Sequence, residues 1–120
     1  MAEILVLDDV ESAVKLIEKV LEKAGHKAHG FTEEDDALEF VKENPVDLAV
    51  LDLRLKKMDG VKMLKELKSL HKDIKGIILT GYPTPDSSKK AKGLGVTEYL
   101  VKPVSPNELR KKVDKVLKAG

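Results

Sequence analysis

Val46-Asp47-Leu48-Ala49-Val50-Leu51-Asp52-Leu53-Arg54 carries an unbroken apolar run from Leu48 to Leu51, bounded upstream by Asn44-Pro45 and closed by a carboxylate. A run that short, with helix-like sequence on both sides, reads as a strand buried on both faces of a parallel sheet. Three other stretches repeat the arrangement: Ile4-Leu5-Val6-Leu7 runs into Asp8-Asp9, Ile77-Ile78-Leu79 into Thr80, and Tyr99-Leu100-Val101 into Lys102. In open α/β sheets the carboxyl ends of the strands form the edge where ligands bind. The pattern therefore brings an acid pair, an acid, a hydroxyl and an amine to one end of one sheet.

Between these runs the apolar period changes to that of helices. Ala13, Val14, Ile17, Val20, Leu21 and Ala24 share one helical face, and Gly25 is placed to cap its end. Residues 27–31 fit a short second strand, after which Thr32 reads as the N-cap of a helix with acids in its first turn. That helix buries Ala37, Leu38 and Val41 and stops at Asn44-Pro45. A loop from Leu53 to Asp59 leads into a third helix with the stripe Val61, Leu64, Leu67 and Leu70, and Asp59 reads as its cap. Gly81-Tyr82-Pro83-Thr84-Pro85 is irregular, since two prolines remove donors and fix φ. An apolar-poor helix from about Asp86 to Leu94 and a fifth strand over about Thr97 to Val101 follow. Ser105-Pro106-Asn107-Glu108 then opens the last helix with a capping box, and Leu109, Val113, Val116 and Leu117 form its inner stripe. Five strand–helix units in alternation predict an α/β fold: a flavodoxin-like (βα)5, doubly wound parallel sheet in the order 2-1-3-4-5. The ends of strands one and three then flank the switch point.

The totals predict one domain over residues 1–120, large enough to bury a core without staples. No cysteine is present, which removes disulfides and thiolate metal sites. No apolar run approaches a membrane span and no signal-peptide pattern opens the chain, so a soluble, cytoplasmic protein without membrane contact is expected. Net charge is +1, but residues 1–60 hold 8 basic and 15 acidic side chains whereas residues 61–120 hold 14 and 6. The acidic half suits a divalent cation. The basic half could favour an acidic partner or nucleic acid, but charge runs of this kind usually line solvated helix faces and are read so here. Phe31, Phe40 and Tyr82 are isolated and make no base-stacking platform. His26, His29 and His71 are not taken as ligands. On a strand, residues three apart point to opposite faces.

Carboxylates gathered at one edge repel one another, by roughly 4 kcal/mol for a pair about 4 Å apart at an effective dielectric near 20. A proton or a cation relieves this. With oxygen donors only, the expected ion is Mg²⁺ or Mn²⁺. Asp52 is a candidate nucleophile toward phosphorus, Lys102 a point charge and Thr80 a hydroxyl donor for phosphoryl oxygens. Each motif taken singly has a simpler reading: Asp-Asp before a helix as an N-cap, Thr-Gly or Lys-Pro as a turn. The four in this order, each ending an apolar strand, are specific.

Over its whole length the sequence resembles the receiver domains of two-component response regulators. The resemblance rests on Asp8-Asp9, on Asp52 with Met58-Asp59-Gly60 downstream, on Thr80-Gly81 and on Lys102-Pro103. It implies that Asp52 is the phosphoacceptor for a sensor histidine kinase. It implies that Asp9 and Asp52 hold Mg²⁺, with Asp8 acting through a bound water and Arg54 offering its backbone carbonyl. Thr80 and Tyr99 match the family's switch pair, and the Lys102-Pro103 bond is expected to be cis. The protein would then be no enzyme but a regulatory domain that assists its own phosphorylation and dephosphorylation. Its output protein or domain, or a second copy of the chain, would read the face made by the fourth helix, the fifth strand and the fifth helix. Lys89, Lys90, Lys92, Lys111, Lys112 and Lys115 make that face basic. Arg54 and Tyr82, each two residues past a site residue, are placed to overhang the site and slow loss of the phosphoryl group. Either a stand-alone receiver or a piece of a longer regulator is expected.

Two other classes fit less well. A Mg²⁺-dependent phosphohydrolase with an aspartyl intermediate needs an acid where Arg54 stands, and a lid domain. A flavodoxin-like nucleotide carrier needs a phosphate loop where Asp8-Asp9 would repel its ligand.

Overall fold

In the computed structural model the four apolar runs, with a fifth at the sheet edge, pair as parallel strands. It describes residues 2–81, 85–93 and 95–118, with the side chains of all of these but 87, 88 and 90. Strands β1 (Glu3–Leu7), β2 (Lys27–Phe31), β3 (Leu48–Asp52), β4 (Lys75–Thr80) and β5 (Glu98–Val101) alternate with five helices. These are α1 (Glu11–Lys23), α2 (Glu34–Glu43), α3 (Gly60–Leu70), α4 (Pro85–Gly93) and α5 (Pro106–Lys118). The sheet runs β2-β1-β3-β4-β5 with every neighbouring pair parallel, which is the predicted flavodoxin-like α/β fold.

β3 takes the centre because its side chains are apolar on both faces, with Leu48 to Leu51 each at most 1% exposed. The pleat sends Ala49 and Leu51 to one side, where they join Leu5, Leu7 and Ile78 beneath Ala37 and Val41 of α2, Leu64 and Leu67 of α3, and Ala91 of α4. Leu48 and Val50 go to the other side, with Ile4, Val6, Ile77 and Leu79 beneath Val14, Ile17 and Leu21 of α1 and Leu109, Val113 and Val116 of α5. Two layers of helices thus cover the sheet. Among the described side chains of α4 only Ala91 is buried, as its apolar-poor sequence predicts.

Helix ends follow the capping residues. At the end of α1, Gly25 takes φ +91° and its amide donates to the Glu22 carbonyl at 3.0 Å, while the His26 amide reaches Leu21 at 3.1 Å. This is a Schellman turn, and the left-handed φ is why glycine stands there. Asp59 caps α3 by accepting from the Lys62 amide at 2.7 Å, and the Ser105 hydroxyl accepts from Glu108 in α5. Thr32 does not cap α2. The N-cap is Glu33, without a side-chain bond, because the helix begins one residue later than predicted and the carboxylate of Glu34 turns into the protein instead. Among the described residues no helix is long and apolar enough to cross a membrane.

Candidate functional site

The register of the sheet places the four strand tips side by side. Leu7 of β1 pairs with Leu51 of β3, so Asp8 and Asp52 are the next neighbours along that ladder. Asp52 pairs with Leu79 of β4, which leaves Thr80 one step beyond it. Thr80 pairs with Val101 of β5, and the Lys102 amide donates to the Thr80 carbonyl at 2.7 Å. The predicted convergence is met. One carboxylate oxygen from each of Asp8, Asp9 and Asp52 lies within 4.8 Å of the others.

Each member has its own environment. Asp8 is 1% exposed, and its two oxygens accept from Lys102 Nζ at 2.9 Å and from the Val10 amide at 3.0 Å. Asp9 is exposed and faces solvent at the rim. Asp52 is partly buried with Oδ1 3.5 Å from Lys102 Nζ, so the lysine spans two of the three carboxylates. Thr80 is buried at the floor, and Tyr99 is half-buried on β5 among the residues packed under α3 and α4. The Lys102-Pro103 bond is cis, as the resemblance implies.

The loop after β3 closes over this edge. The Leu53 amide donates to the Leu79 carbonyl at 2.8 Å, the Gly60 amide to the Leu53 carbonyl at 2.7 Å, and Arg54 bridges Asp59. The Arg54 backbone amide lies close enough to the Asp52 carboxylate to lower its pKa, while the Arg54 side chain is exposed. Tyr82, the other residue expected to overhang, lies outside the described residues. So does the side chain of Lys90 on the basic face, where Lys89, Lys92 and Lys111 are exposed. That face is not uniformly basic. Glu98 of β5 sits between Lys112 at 3.3 Å and Lys115 at 3.5 Å, so two of the six lysines are paired. The three histidines meet separate partners. His26 lies 3.5 Å from Asp114, His29 2.7 Å from Glu3, and His71 meets the Val41 carbonyl at 2.9 Å.

Electrostatics mark the cup as a place that wants a cation. Burial raises the Asp52 pKa, Lys102 lowers it, and the Asp8 charge raises it again, for a net rise above the ordinary carboxylate value. A carboxylate whose folded-state pKa is raised contributes nothing below its unfolded pKa of about 3.9; its cost grows as pH rises from there to the folded value and is constant above it. In metal-free buffer Asp52→Asn is therefore expected to melt higher than the wild type at pH 7, with the gap closing below about pH 4. Paired melting curves across that range check it, and a wild type that melts higher at pH 7 would contradict it. The residues also fit a hard cation. Octahedral coordination at 2.0–2.1 Å puts ligand oxygens about 3–4 Å apart, within reach of small rotations of the carboxylates, and the donors are all oxygen.

Two residues at this edge were not legible as site residues. Gly60 starts α3 against the backbone of Asp52, where a Cβ would stand 2.4 Å from the Asp52 carbonyl oxygen. Glu34 is 1% exposed under the loop. Its signal was present, since it lies three, four and seven residues before Ala37, Leu38 and Val41 and so on their stripe.

Known proteins share both sequence and shape with this chain. The family model for the response regulator receiver domain matches residues 4–114. The transcriptional regulatory protein ZraR of Escherichia coli is 33% identical over 96% of this chain, which spans 26% of ZraR's own length. The sporulation initiation phosphotransferase F of Bacillus subtilis is 32% identical, with 96% of this chain covering 93% of that protein. A CheY-like response regulator receiver domain protein from Methanospirillum hungatei superposes with a TM-score of 0.92 at 26% identity, covering 99% of this chain and 95% of the other. With the family's acidic edge, strand order and length all reproduced, this chain belongs to the receiver domains of two-component response regulators.

Proposed function

We propose that residues 1–120 form one phosphoacceptor switch, in the cytoplasm, that takes a phosphoryl group from a sensor histidine kinase onto Asp52. One observation carries this reading: three carboxylates share a cup within 4.8 Å while Lys102 reaches two of them. Asp52 Oδ attacks phosphorus, the bond from phosphorus to the kinase imidazole breaks, and the imidazole leaves with the electron pair. Phosphoryl transfer of this kind asks for positioning and charge neutralisation more than for covalent help. Lys102 offers a cation to one phosphoryl oxygen and Thr80 a hydroxyl to another. Asp9, Asp52 and the Arg54 carbonyl would hold Mg²⁺ (or Mn²⁺). Asp8, whose oxygens are engaged by Lys102 and Val10, would contribute through a water. The ion supplies neutralisation of charge on the transferred group. The same groups would assist hydrolysis of the acyl phosphate, so the domain acts on itself and not as an enzyme on others.

The phosphorylated state would bias Thr80 and Tyr99 toward a second arrangement, read at the face of α4, β5 and α5 by an output protein or domain, or by a second copy. Val101 is 48% exposed on that face, and Lys89 and Lys92 of α4 and Lys111 of α5 are exposed as well. Incubation with acetyl phosphate and Mg²⁺ should add one PO₃ to the intact mass of the wild type and none to Asp52→Asn. In the same sample amide exchange across α4, β5 and α5 should change. A wild type that gains no mass, or gains it equally in the variant, would refute the assignment. Unchanged exchange would refute the switch.

A further inference from the structure

The loop from Leu53 to Asp59 brings Arg54 to the cup, and it is held at two places. Its base is closed by the Arg54–Asp59 bridge and by the Gly60 amide on the Leu53 carbonyl. Its far bend is held from another element altogether: the Lys57 amide donates to Oε2 of Glu34, the first residue of α2. Glu34 is almost wholly buried, and its Oε1 has no partner among the described residues. Two ion pairs flank this contact, Lys56 with Glu33 at 2.6 Å and Lys57 with Asp35. Exposed pairs of that kind are screened and contribute little each. The buried bond is what fixes the bend.

Stability gives a poor account of a carboxylate here. A buried carboxylate with one oxygen unsatisfied loses hydration that the N-terminus of α2 and the nearby charges of Lys56 and Lys57 only partly replace. An apolar side chain of similar volume commonly serves the fold as well or better. What the carboxylate supplies instead is an address for one backbone amide, three residues beyond Arg54. The Arg54 backbone amide in turn acts on Asp52, lowering the pKa of its carboxylate.

We propose that Glu34 is a positioning residue for the acidic cup: by holding the Lys57 amide it sets the loop path that aims the Arg54 backbone at Asp52. The proposal rests on reading the cup as the site of Mg²⁺ and of phosphorylation. Glu34 touches neither. It acts through the loop, as outer contacts orient the groups that do.

Glu34→Leu deletes the acceptor while keeping the volume, and Glu34→Gln keeps a carbonyl oxygen for the Lys57 amide. Titration of each purified protein with Mg²⁺, with acetyl phosphate labelling alongside, separates the cases. Glu34→Leu should melt no lower than the wild type yet bind Mg²⁺ about tenfold more weakly, the lower end of what loss of an outer contact costs a metal site. Its labelling should slow in step, and amides 54–58 should exchange faster. Glu34→Gln should stay within about twofold of the wild type, since the bond to the amide is retained. Wild-type Mg²⁺ affinity and labelling in Glu34→Leu would overturn the proposal. A wild type that itself neither binds Mg²⁺ nor labels would instead overturn the reading of the cup, and the positioning role with it.

Discussion

Replacing Lys102 with methionine is expected to destabilise the protein by about 2–3 kcal/mol, because it strands Asp8 in the interior without its counter-charge. Asp8 is 1% exposed and its Oδ2 accepts from Lys102 Nζ at 2.9 Å, so no solvent takes over when the ammonium goes. The figure is set below the full cost of breaking a buried pair because the lysine side chain is 33% exposed and part of its charge is screened. Burial lowers the Lys102 pKa, but its bond to Asp8 and the charges of Asp8 and Asp52 outweigh this, leaving the pKa raised. A base raised in the folded state stabilises fully below its unfolded value of about 10.4 and loses that contribution as pH climbs through the folded one. The deficit of Lys102→Met should thus be constant through neutral pH and shrink only in strong alkali. Labelling by acetyl phosphate should fall about tenfold as well, since the proposed donor to the developing phosphoryl charge is gone. Urea unfolding at pH 7 and at high pH tests the first part. A variant as stable as the wild type at pH 7 would mean that Asp8 is not held as described.

Gly60→Ala is expected to cost about 1–3 kcal/mol and to slow phosphorylation, although alanine is the better helix former. The added Cβ would lie 2.4 Å from the carbonyl oxygen of Asp52 and 3.1 Å from Ile78 Cδ1. The first of these is backbone and cannot rotate aside. Either α3 or the end of β3 must shift, and β3 carries Asp52, the proposed nucleophile. Gly93→Ala is the control, because nothing lies within 4 Å of a Cβ there and α4 should gain slightly from the exchange. Melting curves of the two variants, with labelling rates alongside, read the difference. Equal behaviour of the two would show that helix propensity governs at position 60 and that the close approach is unimportant.

The fold was legible because burial and periodicity agree. Leu48 to Leu51 are apolar without alternation and are buried on both faces, and the six-residue strand β4 reads the same way. Cup residues were legible because each follows such a run directly, so the sheet register alone brings them together. Legibility ended where a residue's role depends on an element distant in sequence. Thr32 looked like a cap since its type favours caps, yet α2 starts later and Glu34 is drawn 23 positions along the chain to the Lys57 amide. Gly60 entered the sequence reading only within Met58-Asp59-Gly60, and nothing local says that Asp52 lies against it. The basic face showed six lysines in the sequence, while the structure pairs two of them with Glu98, a residue on the neighbouring strand.

Chemical trapping reads directly which carboxylate takes the phosphoryl group. Borohydride delivers hydride to the carbonyl of an acyl phosphate, expels phosphate and leaves a primary alcohol, so a phosphorylated aspartate becomes homoserine. After treatment with acetyl phosphate and Mg²⁺, reduction and peptide mass mapping should find homoserine at position 52, with Asp8 and Asp9 intact. Homoserine at either of those positions, or at none of the three in protein shown to carry PO₃, would contradict Asp52 as the acceptor.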